Sequence, residues 1–132
     1  MILSTFQRTV LKLDAASCLA MAAVLVPAAA SLQAPLGIDA NILRGAGLAL
    51  FPLGLFILWL GTRRAAPAVF VWLVIVGNIG WTLASFAVAA NLPAITPAGQ
   101  ALVVVQAIAV LLLAVLEWRG LRSPAAVPLS HG

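Results

Sequence analysis

Charge is what this chain lacks most. Only 8% of its 132 residues are Asp, Glu, Lys or Arg, against about 25% in soluble domains. With 64% hydrophobic residues and a mean hydropathy of +1.19, a soluble globular domain is excluded. The one cysteine, Cys18, rules out an internal disulfide, a multi-cysteine metal site and a quinone-linked dithiol centre. The one histidine, His131, is penultimate, which removes the usual proton shuttle and most zinc or haem ligation schemes. No nucleophile–base pair, H-E-x-x-H, C-x-x-C, phosphate loop or redox-cofactor pattern occurs, and Ser17 and Ser85 have no histidine to activate them. A non-enzymatic protein without cofactor or metal is expected. The formal charge of +4, seven basic residues against three acidic, must be read against a membrane first, and no nucleic-acid partner is expected.

What is present is apolar length. Four spans emerge, near Leu13–Leu32, Ile42–Leu60, Ala68–Ala90 and Gly99–Trp118, each close to the ~20 residues that cross a bilayer core. The connections are short and marked by Pro, Gly or Asn, so neighbours run antiparallel. The expected fold is all-α: one four-helix transmembrane bundle over residues 1–122, up-down-up-down, with a mobile tail over 123–132. Met1–Lys12 ahead of an apolar run has the outline of a signal peptide, with Ala28–Ala30 as a cleavage site. Asp14, Pro27 and the three further spans favour an uncleaved first helix instead, kinked at Pro27. Arg8, Lys12, Arg63, Arg64, Arg119 and Arg122 fall on one side of this topology, which makes both termini cytoplasmic. Trp59 and Trp118 sit at that boundary as an aromatic belt; Trp81 lies near mid-membrane.

The stretch Val71–Phe86 carries Asn78, Trp81, Thr82 and Ser85 through an apolar run. Asn78, Trp81 and Ser85 are three and four residues apart and share a helix face that should point at protein, because lipid offers an amide no partner. Gln106, on the fourth span, is the expected partner of Asn78, as interhelical glue. Trp81 is expected to fill the core beside a stripe of Gly47, Gly54 and Gly61, a spacing that lets another helix approach closely. Asp14 and Glu117 lie at one level, close to the basic end. They are expected to form ion pairs with Lys12, Arg63, Arg64 and Arg119; the alternative is a carboxylate pair that binds a proton or cation. Arg44, near the opposite boundary, has three candidate partners: Asp39, a lipid phosphate, or carbonyls of the 91–98 loop. The pattern W-x-G-x-R occurs at Trp59–Arg63 and at Trp118–Arg122, through hairpin duplication or through shared boundary chemistry.

Several longer motifs stand out: L-x-x-D-A-A-S at Leu11–Ser17, L-R-G-A-G-L-A-L at Leu43–Leu50, and G-N-I-G-W-T-L-A-S at Gly77–Ser85. Q-A-I-A-V at Gln106–Val110 and L-E-W-R-G-L-R at Leu116–Arg122 complete the set. Together they resemble a group of uncharacterised four-span bacterial inner-membrane proteins. The resemblance implies bacterial origin and a four-helix membrane fold, and it implies no activity. The expected function is packing or assembly in the inner membrane, by self-association or beside a membrane-protein partner in contact with lipid. The rival is a small transporter or channel subunit acting through Asp14, Asn78, Gln106 and Glu117. A membrane enzyme or lipid-binding protein whose Arg44 meets an anionic headgroup is a weaker third.

Overall fold

The computed structural model describes residues 1–122; the tail expected to be mobile lies outside the described residues. Four helices follow in order: α1 (Thr5–Leu36), α2 (Ala40–Thr62), α3 (Ala68–Asn91) and α4 (Pro97–Arg122). Each is long and apolar enough to cross a membrane, and the chain is a multi-pass membrane protein with an all-α four-helix bundle. Outward faces are apolar, with Leu73, Val76, Leu83 and Val105 among the most exposed side chains, as contact with hydrocarbon requires.

Local chemistry sets the helix ends. The Ser4 side chain accepts from Gln7 N at 3.0 Å and caps α1. At the other end Gly37 takes the left-handed conformation (φ 65°), and its N–H returns to Gln33 O. Asp39 caps α2 through Asn41 N at 2.7 Å. Helix α1 therefore starts eight residues earlier than the hydropathy-derived span, and it stays helical through Pro27 and Pro35. Residues that read as a basic leader are its first two turns.

Packing is unequal around the bundle. Helix α1 lies along α2, α3 lies along α4, and α1 also contacts α4. The α2 and α3 backbones stay apart, and these helices meet through side chains at the basic end, where Phe56 and Trp59 of α2 pack on Phe70 of α3. The α1–α2 seam is close because of the glycine stripe. An ideal Cβ on Gly54 would fall 2.8 Å from Leu19 Cδ2, and one on Gly47 2.8 Å from Val26 Cγ2. Gly61 rests on Leu11 and Lys12. The stripe thus faces α1, not Trp81, and its smoothness is used inside the chain.

Both ends are tied across hairpins. At the basic end the extended residues before α1 pair with the α2–α3 loop, Leu3 N donating to Arg64 O and Ala66 N to Met1 O. At the opposite end Thr96 N donates to Leu36 O, and Thr96 Oγ1 donates to Pro35 O. The two W-x-G-x-R segments share a local arrangement: Arg63 lies over Trp59 at 5.5 Å and Arg122 over Trp118 at 4.9 Å. Their glycines do not follow a hairpin exchange, which would bring Gly120 to α3. Gly61 and Gly120 both rest on α1.

Gly54→Val should cost about 1–3 kcal/mol by forcing α1 from α2. Gly45→Ala, at a position with no atom near the new Cβ, should be neutral or stabilise by up to about 1 kcal/mol. Denaturant-detergent unfolding of the two variants checks this; equal losses would show that the stripe is not the surface of closest approach.

Candidate functional site

Helix α3 carries the polar face inward. Asn78, Thr82 and Ser85 are buried and Trp81 is half-buried, at i, i+4, i+7 and i+3. They form two polar layers. In the layer nearer the basic end, Asn78 Nδ2 donates to Asp14 Oδ2 at 2.7 Å and to Glu117 Oε1 at 2.8 Å. One amide nitrogen therefore holds carboxyls from α1 and α4. All three residues are nearly sealed, at 1% exposure for Asp14, 8% for Asn78 and 0% for Glu117. Asp14 Oδ1 also accepts from Cys18 Sγ at 3.7 Å.

In the second layer, one turn along α3, Trp81 Nε1 donates to Gln106 Oε1 at 2.9 Å. Gln106 Nε2 donates to Ser85 Oγ at 2.8 Å and to Val103 O at 2.8 Å. Thr82 links the layers, its hydroxyl lying 2.9 Å from Asn78 O and 3.4 Å from Ala107 O. Ser85 Oγ donates back to Trp81 O.

Three sequence expectations are corrected here. Asn78 does not pair with Gln106, because two carboxyls lie within its reach and take both of its N–H groups. Asp14 and Glu117 do not form ion pairs among the described residues: Lys12, Arg63, Arg64 and Arg119 are exposed, and the carboxyls turn inward to an amide. Trp81 does not fill a closed core; it stands between two cavities. Arg44 is exposed, and its Nη1 meets Asn41 Oδ1 at 3.4 Å, while Asp39 is occupied as the α2 cap. It is remote from both polar layers.

Gln7 was not among the sequence candidates. It is fully buried, and both its amide oxygen and its amide nitrogen lack a hydrogen-bond partner among the described residues. A Cβ on Gly120 would strike its Oε1. The available signal was its position seven residues before Asp14, on the same helix face; the basic leader-like context of Met1–Lys12 obscured it. Glu117 Oε2 is likewise buried without a partner among the described residues.

The open α2–α3 seam leads into a cleft of about 360 Å³. Its walls are largely apolar (Leu50, Leu53, Phe56, Leu73, Val110), with Ser17, Cys18, Asn78, Trp81 and Gln106 as the polar lining. A second cavity of about 240 Å³ lies toward the opposite end, sharing Met21, Trp81 and Gln106 with the first. The indole of Trp81, held by Gln106, divides the two. No group of three or more His, Cys, Asp or Glu side chains suited to a metal ion occurs among the described residues. No family model, curated protein or solved structure matches the chain.

Interhelical hydrogen bonds in membrane bundles average ~0.6 kcal/mol and reach ~1.7 kcal/mol, which is the expected range for Gln106→Leu. Asn78→Leu is worse, because each buried carboxyl left without its donor costs about 1–3 kcal/mol. Unfolding free energies in mixed micelles should rank Asn78→Leu as the more damaging; the reverse order would contradict the bridging role.

Proposed function

We propose that this chain is a non-enzymatic protein of the bacterial inner membrane, of the transporter or channel-subunit class. In this proposal its interior takes up a small amphiphilic molecule from the bilayer. The observation that carries the proposal is the cleft between α2 and α3: largely apolar, within the size range of ligand pockets, with few hydrogen-bonding side chains (Ser17, Cys18, Asn78, Trp81 and Gln106) in its lining. A guest entering sideways keeps its apolar body against Leu53, Phe56 and Leu73 and meets Asn78, Trp81 or Gln106 with a polar end. Both termini are cytoplasmic, an orientation supported by the six basic residues at one end. The motif resemblance to four-span bacterial proteins supports the inner-membrane location.

Self-association loses one of its grounds, since the glycine stripe is occupied by α1. One observation still favours an assembly role. Gly77 and Gly80 present no neighbour to a Cβ, so α3 has a bare strip on which a partner helix could lie beside the seam.

Gly77→Leu separates the two. Gly77 lines the cleft, and a Cβ added there meets no atom within 4 Å. Native mass spectrometry from mild detergent should find a co-purified amphiphile on the wild-type monomer and none on Gly77→Leu. An oligomer without a guest, dissociated by the same substitution, would replace the uptake proposal with assembly.

A further inference from the structure

We infer that Asp14, Asn78 and Glu117 form an intramembrane proton site, with the proton on Glu117 Oε2, Asp14 as its ionised partner and the α1–α4 seam past Gln7 as its access path. The site borders the α2–α3 cleft at Asn78 and Cys18, but neither carboxyl lines that cleft.

The hydrogen-bond inventory assigns the proton. Asn78 supplies two N–H groups and no charge, and each carboxyl receives one of them. Both oxygens of Asp14 accept, one from Asn78 and one from the Cys18 thiol. Glu117 accepts at Oε1 alone, and its buried Oε2 has no donor among the described residues. Two anions converging on one neutral donor in a low-dielectric interior would repel each other with nothing to offset them. A single proton removes that repulsion. On Oε2 it leaves every donor in place, whereas on Asp14 it would sit on an oxygen that already accepts from Asn78 or Cys18.

No other titratable group competes at this level. From α1 only Cys18 faces the pair; Lys12 is exposed. Arg8, part-buried nearer the basic end, has a buried Nε without a partner among the described residues. Helix α3 carries no ionisable residue, and α2 carries only the remote Arg44. On α4, Arg119 and Arg122 are exposed beyond Glu117.

Access follows from Gln7. Gly120 lies one turn past Glu117 on α4, and Gln7 two turns before Asp14 on α1, both toward the basic end. The absence of a side chain at Gly120 leaves the room that the Gln7 amide occupies. A sealed amide with neither atom bonded among the described residues, followed by a carboxyl oxygen in the same condition, gives water entering the α1–α4 seam its polar partners. Protons pass along that water between Glu117 Oε2 and the basic end, each transfer breaking one O–H bond as the next forms.

The composition makes the test clean. The chain has three side-chain acids, and Glu117 is the only glutamate. Infrared spectra of the full chain in liposomes at neutral pH should show one protonated-carboxyl C=O band. Carboxyl-labelled glutamate should shift that band, and Glu117→Gln should abolish it. Labelling needs no substitution, so it decides the matter even if Glu117→Gln misfolds. Gln7→Leu should keep the band but slow its hydrogen–deuterium exchange by on the order of tenfold, as the seam loses its polar lining. No band, a band indifferent to the label, or a band removed by sodium at fixed pH would overturn the proton site. Unchanged exchange in Gln7→Leu would overturn the path. Loss of the cleft guest in Gly77→Leu leaves all of these readouts in place, so the two ideas fail separately.

Discussion

Three helices of this bundle meet at one nitrogen. The Asn78 amide donates to Asp14 of α1 and Glu117 of α4, and in a lipid-facing bundle nothing outside the protein can replace it. The contact is diagonal, since the α1 and α3 backbones do not pack directly. It therefore sets how deep α3 sits and how it is rotated, and Trp81, Thr82 and Ser85 follow because they share its face. With α3 held toward α1 and α4, α2 packs along α1 and meets α3 only near the basic end, through Phe56, Trp59 and Phe70. The open seam and the triad are thus two consequences of one rotation of α3.

The small residues complete that geometry. Gly47, Gly54 and Gly61 let α2 press on α1, and Gly120 gives α4 room over Gln7. The interior that results is unlike that of a soluble bundle. It has a polar spine along α3 and two cavities on either side of an indole, and its lateral mouth opens to the bilayer. Short ties at both ends, between the first residues and the α2–α3 loop and between Leu36 and Thr96, hold the hairpins together beside the two buried apolar clusters, one around Leu3, Leu60 and Val71 and one around Leu36, Ile38 and Leu43. The frame is closed along three seams, and the fourth is closed only near the basic end, by Phe56, Trp59 and Phe70.

Much of this was legible in the residues. Span number and order follow from apolar length, and the inward direction of α3 follows from the spacing of Asn78, Trp81 and Ser85. The pairings were not legible. Asn78 and Gln106 look like natural partners by depth, yet Asn78 takes the carboxyls, because an acceptor charged or chargeable in low dielectric draws a donor more strongly than a neutral amide does. The basic residues near Asp14 and Glu117 suggested ion pairs, but their long side chains reach the interface and leave the carboxyls behind. Gln7 was hidden by its neighbours, since a stretch with Arg8 and Lys12 reads as a leader until the helix is seen to begin at Thr5.

The sequence by itself determined the all-α class, the four membrane-crossing helices, the gathering of basic residues at one end and the lack of a catalytic motif. Those depend on composition and period, which each segment carries alone. Only the tertiary structure decided which polar groups meet, which seam stays open and where the glycine stripe lies. Each depends on the rotation of one helix about its axis relative to another, and a turn of a few tens of degrees exchanges one partner for the next without changing any local preference.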